Sequence, residues 1–276
     1  MKTRIIVDST MDLTKEIKEK VTVVPLMVHF GDEEFIDGVT IKHNEFYEKL
    51  ETSSFHPSTS QASPDAFMKV FDTVSEDEEA VVITLSHKLS GTFQSANIAS
   101  EDYNNIHIVD TGSVTIGGGI LVERALQLVD EGHSAKEIKE ILEKEKEKIV
   151  IFALLDTLEY LKRGGRISKT AAFAGTLLNL KPVLLVVDGE ITSIGKARGN
   201  KQGNALVIKE IENAGGVNLD KPVLLGYSGV SDEHLLKFKE DSKNLFGGRD
   251  VPYTSVGSVI GTHAGPGAVI VAFFKN

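Results

Sequence analysis

Cysteine is absent from all 276 residues. Disulfides, thiolate metal sites and cysteine nucleophiles are therefore excluded, and a reducing compartment fits best. Positive charge is in deficit: 30 Lys and Arg stand against 40 Asp and Glu, a formal net charge of −10. Nucleic-acid binders usually carry a basic footprint, so that class is disfavoured. A broad basic surface for membranes is disfavoured in the same way. Long apolar runs are missing too. The run VIVAFF at 269–274 is among the longest and is far too short to span a bilayer. The opening residues MKTRIIVDST reach an aspartate after three apolar residues and contain no signal-peptide core. These absences predict a soluble cytoplasmic protein.

What is present is an ordinary globular balance, 41% hydrophobic and 25% charged. That is enough apolar material for a sizeable core, and the length suggests about two domains or one large one. Residues 3–8, 80–86, 105–110 and 149–155 read as apolar strands, separated by helical patterns over 42–50, 63–74, 117–132 and 134–148. Ser134 and Glu137 stand at capping-box spacing. Apolar strands alternating with helices predict an α/β fold with a mostly parallel sheet covered on both faces. Residues 21–30 read as one strand, with a turn and a second strand after it. Beyond 156–168 the rhythm changes. Asp188-Gly189 between two strand-like runs signals a hairpin, and a smaller α+β region with antiparallel content follows. We place the domains at 1–157 and 158–276.

Four clusters are candidates for chemistry. LSGTFQSA (89–96) lies where a strand gives way to a helix. Ser90, Gly91 and Thr92 there either cap the helix or present hydroxyls and free N–H groups to an anion. HPSTSQASP (56–64), with Thr59 and Ser60, reads either as a capping loop or as hydroxyl donors aimed at a bound oxygen. IGTHAGPGA (260–268) surrounds His263 with glycines and reads as a tight loop; His263 could donate to a carboxylate. Two basic islands, 160–169 and 195–203, hold Lys162, Arg163, Arg166, Lys169, Lys196, Arg198 and Lys201. They are either solvated charge or a docking surface for a partner that handles phosphate. G-x-S-x-G, H-E-x-x-H, a Walker lysine loop and a strand-to-helix G-x-G-x-x-G do not occur. No metal site and no cofactor are expected.

Five stretches, in order along nearly the whole chain, resemble the DegV family of bacterial fatty-acid-binding proteins: VDST with DL at 7–13, TSQ at 59–61, LSGTFQSA, LEYLKRGGRI at 158–167 and IGTHAGPGA. Ala62 departs from the proline often found there, and the hydroxyls stay in place. The resemblance implies two domains with a long-chain fatty acid between them. It implies Thr59, Ser90 and His263 at the carboxylate, with Ser60, Gly91 and Thr92 in the supporting loops. It also implies a carrier rather than an enzyme, presenting its ligand to a separate ATP-dependent fatty acid kinase that makes acyl-phosphate. Arg166 and Arg198 would face that kinase. Partners outside these are transient membrane contact and no nucleic acid. Residues 117–126 and 170–180 are candidate tunnel walls, and read equally well as core. A partial resemblance to dihydroxyacetone kinases gives the alternative, a small-molecule phosphotransferase.

Overall fold

The structure, a computed structural model, describes residues 2–167 and 180–276. The first part runs β1 (Lys2–Asp8), α1 (Lys15–Lys18), β2 (Thr22–Val24), β3 (Met27–Phe30), β4 (Glu33–Ile36), α2 (His43–Thr52), β5 (Ser58–Ser60), α3 (Pro64–Phe71), β6 (Glu78–Thr84), α4 (Thr92–Ala99), β7 (Ile106–Asp110), α5 (Ile116–Asp130) and α6 (Ala135–Glu145). Then come β8 (Ile149–Leu154), α7 (Glu159–Gly164), β9 (Leu180–Val187), β10 (Glu190–Arg198), α8 (Gly199–Asn213), β11 (Val223–Tyr227), α9 (Glu233–Asp241), β12 (Tyr253–Ser255), α10 (Ser258–Ala264) and β13 (Val269–Phe274). The fold is mixed α/β, as the alternation of strands and helices predicts.

The expected parallel sheet has four strands in the order β2-β1-β6-β7, all parallel. Its helices start as their sequences dictate. Ser63 accepts from the N–H of Ala66 with Pro64 in the first turn, and Ser134 and Glu137 form the reciprocal capping box. The single strand expected over 21–30 is in fact two. Pro25 brings no N–H to a ladder, and the chain changes sheets there. β2 stays in the parallel sheet, while β3 joins β4 and β5 in a small antiparallel sheet. Thr59, expected in a loop, is therefore on a strand, opposite Val28.

The second sheet has six strands in the order β10-β9-β8-β13-β11-β12. β8, which sequence periodicity groups with the first half, pairs antiparallel with β13 and β9 instead. Its residues are apolar on both faces because both are covered. Ile149, Ile151 and Ala153 enter the core shared with the parallel sheet. Val150, Phe152 and Leu154 enter a second core with Val207 and Ile211 of α8. The β9–β10 turn is the predicted one: Asp188 and Gly189 both take positive φ, 50° and 69°.

α5 packs between the two large sheets, and α6 lies beside it on the parallel sheet. Ile120, Leu121 and Leu128 of α5 and Ile138 and Leu142 of α6 are fully buried with Val7, Ile83, Ile270 and Ala272 from the two sheets. α10 is a helix where a glycine-rich loop was expected. Gly261 sits against α2; a side chain there would stand 2.7 Å from Phe46 Cε1. First-half carboxylates fix its start: Gly257 N–H donates to Asp12 Oδ1 (2.8 Å) and Ser258 N–H to Asp37 Oδ1 (3.2 Å).

Candidate functional site

A cavity of about 340 Å³ opens where the segments after β6 and β7 meet the inner face of the six-stranded sheet. This lies in the usual range for small-molecule sites, about 300–1,000 Å³. One end is polar and carries Thr59, Ser60, Gln61, Ser90, Gly91, Arg166 and His263. Apart from Thr115, the rest is apolar, with Leu85 and Leu89 from the first half, then Ile151, Ala153, Leu184, Val186, Ile191 and Ile270 from the sheet.

The polar end joins elements far apart in sequence. β5 places Thr59 beside α10, and Thr59 Oγ1 lies 3.0 Å from His263 Nε2. Gln61 ties the same strand to α4: its Nε2 donates to Ser95 Oγ at 2.8 Å. Gly91 makes room for this amide, since a Cβ there would stand 2.8 Å from Gln61 Cδ. Ser90 is not the helix cap. Gly91 holds that position, and no side chain caps α4. Ser90 Oγ instead accepts from the Thr92 N–H (3.3 Å) and pairs with Thr92 Oγ1 (3.0 Å). Ser90, Gly91 and the His263–Thr59 pair thus face one space at the start of an eight-residue helix, where backbone N–H groups favour negative charge. Ser60 also lines the space, with its hydroxyl 2.8 Å from His29 Nε2.

Sequence reasoning separates Arg166 from the carboxylate-binding set. The structure brings it to the same cavity. Its Nε donates to the Leu89 carbonyl at 3.3 Å, one residue before Ser90. Burial pushes His263 down to about 4, and the nearby Arg166 and His56 charges add to this. The imidazole is neutral at pH 7, and Arg166 is the charge beside it. Arg198 is placed elsewhere: it is exposed at the start of α8 and does not line the cavity. Lys169 and residues 170–179 of the expected tunnel wall lie outside the described residues. The other expected wall, 117–126, is core. α5 reaches the cavity only through the two residues before it, Val114 and Thr115.

Thr115 is a site residue that the sequence did not single out. It takes φ 52° and ψ −135°, a region β-branched residues rarely adopt. Its hydroxyl donates to Asp12 Oδ2 at 2.6 Å. Asp12 is fully buried, and that burial pushes its carboxyl up to about 7. Gln61 was missed as well, because its role is a contact with the distant Ser95. Among the described residues, no group of three or more His, Asp or Glu is arranged to hold a metal ion. No helix among them is long and apolar enough to cross a membrane.

Comparison with known proteins agrees with this architecture. A family model described as "Uncharacterised protein, DegV family" matches residues 2–276. The DegV domain-containing protein TTE1491 of Caldanaerobacter subterraneus is 35% identical, covering 99% of this chain and 98% of its own. A DegV family protein from Thermus thermophilus, whose structure is described for its fatty acid binding, is 32% identical with a TM-score of 0.88, over 99% of this chain and 100% of that one. A stearic-acid-binding protein from Eubacterium ventriosum is 28% identical with a TM-score of 0.86, over 99% and 98% of the two chains. This chain, matched over nearly its full length, belongs to the DegV family.

Proposed function

We propose that the protein binds one long-chain fatty acid, with the carboxylate at Thr59, Ser90 and His263 and the acyl tail along the face of the six-stranded sheet. The observation that carries this reading is the cavity itself, apolar over most of its wall and polar at one end. A carboxylate buried without partners is very costly. Two hydroxyls, the first N–H groups of α4 and the Arg166 guanidinium offset that cost. The tail supplies affinity: each buried methylene contributes about 0.8 kcal/mol, so a sixteen-carbon acid carries on the order of 11 kcal/mol before the costs of association. The fatty acids bound by the Thermus and Eubacterium relatives support the same ligand class.

The protein is then a carrier in the cytoplasm, and a separate ATP-dependent kinase phosphorylates the bound carboxylate. Arg198, exposed and outside the cavity, belongs to the docking side. Arg166, at the cavity, serves both the carboxylate and the kinase. Arg198→Glu should leave fatty acid binding intact and weaken kinase docking, and Arg166→Glu should weaken both. Native mass spectrometry of the purified protein, followed by solvent extraction, tests the ligand. One equivalent of long-chain fatty acid is expected. A protein that is empty, takes up no added palmitate and hydrolyses ATP alone would overturn the carrier reading in favour of a phosphotransferase.

A further inference from the structure

Gly164 and Gly165 are adjacent, and they are glycines for different reasons. Gly165 ends α7 with φ 69°, and among the described residues nothing stands within 4 Å of where its Cβ would be. It is needed for backbone shape. Gly164 is the last residue of α7 and has no positive φ. An alanine backbone fits there without strain. What forbids a side chain is the His263 ring: a Cβ on Gly164 would overlap Nδ1 and stand 2.7 Å from Cε1.

Nδ1 is also the nitrogen that finds no hydrogen-bond partner among the described residues. A neutral imidazole carries one N–H. If it were on Nδ1, a buried donor would be orphaned beside Gly164, and buried orphan N–H groups are rarer than orphan acceptors. The Thr59 hydroxyl would then spend its hydrogen on Nε2 and turn only lone pairs toward the ligand. With the hydrogen on Nε2, His263 donates to Thr59 across the 3.0 Å contact. The Thr59 hydrogen is then free to meet an anion. Burial and anion recognition select the same tautomer.

We propose that Gly164 is a positioning residue for the head-group site: its bare Cα packs against the His263 ring, holds the Nε2–H tautomer, and so turns the Thr59 hydroxyl hydrogen toward the ligand carboxylate. This rests on the fatty acid reading for the ligand, but the tautomer is a property of the protein alone. The test is long-range ¹H–¹⁵N correlation on histidine-labelled, delipidated protein, with His263 assigned by its loss in His263→Gln. Wild type, Gly164→Ala and Gly165→Ala are compared, and each is titrated with oleate.

The wild-type ring is expected to show the Nε2–H pattern with no ligand present. Gly164→Ala should shift or mix that pattern and weaken oleate at least tenfold. Gly165→Ala should lower the melting temperature and keep the wild-type ring signature. A wild-type ring protonated on Nδ1 overturns the proposal even if Gly164→Ala does not fold. So does a folded Gly164→Ala with unchanged ring signals and oleate affinity. A wild type with the Nε2–H pattern and no affinity for oleate would instead overturn the fatty acid reading, leaving the effect of Gly164 on the ring standing.

Discussion

The two ends of the cavity are built by opposite means. The head end takes single residues from separate elements: Thr59 from β5, Ser90 from the turn before α4, Arg166 from the segment after α7 and His263 from α10. Thr59 and His263 touch across 204 positions of sequence. The tail end takes alternate residues of neighbouring strands, Ile151 and Ala153 of β8 beside Leu184 and Val186 of β9. On the proposed reading, a few directed bonds at the head carry recognition, and each can be removed singly. At the tail the same apolar surface is spread over many side chains, so one truncation changes little and one enlargement changes much.

The largest effect should therefore come from filling the tail. Ala153→Phe would exclude three or four methylenes, a loss of about 3 kcal/mol or about a hundredfold in palmitate affinity. Calorimetric titration with palmitate and with octanoate checks this; the shorter acid should be nearly unaffected. Equal loss for both acids would mean that the tail does not run along β8.

Next come the head bonds. Thr59→Val and Ser90→Ala should each weaken palmitate about tenfold to a hundredfold, the range for a hydrogen bond to a charged group. The double variant should lose less than the sum, since both hydroxyls would serve one carboxylate. Fully additive losses in the same titration would mean that the two hydroxyls act on the ligand independently rather than through one shared carboxylate.

A third contrast separates buried aspartates of the first half, Asp8 and Asp12, from His263 of the cavity. Burial raises Asp12 from 3.8 to about 7 and Asp8 from 3.8 to about 6, while His263 falls from 6.5 to about 4. The aspartates bind more protons folded than unfolded. Their contribution to stability is complete below about pH 4 and is lost as the pH rises toward 7. His263 runs the other way: its contribution is present above 6.5 and lost as the pH falls toward 4. Melting temperatures from pH 4 to 7.5 should show Asp12→Asn flattening the decline with rising pH, and His263→Gln steepening it.

The smallest effect is expected at the hairpin tip. Lys88 Nζ pairs with Asp188 Oδ2 at 3.0 Å, but Asp188 is 83% exposed. Exposed pairs contribute little, so Lys88→Ala should leave palmitate affinity and the melting temperature near wild type. A marked loss of affinity would mean that this contact holds the cavity wall in place.

The same contrast explains what sequence reasoning could read. The Asp188-Gly189 hairpin and the Ser134–Glu137 capping box are local, so their residues report them directly. Thr59, Ser90 and His263 came through motifs resembling a family, and the cavity brings the three together. The partner sheet of β8 was not legible, because a strand apolar on both faces reads alike in a parallel or an antiparallel setting. α10 was hidden because its one glycine obeys a distant contact: Gly261 answers to Phe46 and Tyr47 of α2, not to local backbone shape. Gly164 answers to His263 in the same way. The apolar wall carries the residue types of any core, so no pattern separates Ala153 from a packing residue.

The most direct measurement is carbon NMR of palmitate labelled at the carboxyl carbon, bound to wild-type protein and to Ser90→Ala. The account predicts one bound resonance at one equivalent, distinct from free palmitate and shifted in the variant. A protein that gives no bound resonance, or one that Ser90→Ala leaves unmoved, would contradict a carboxylate seated at the start of α4.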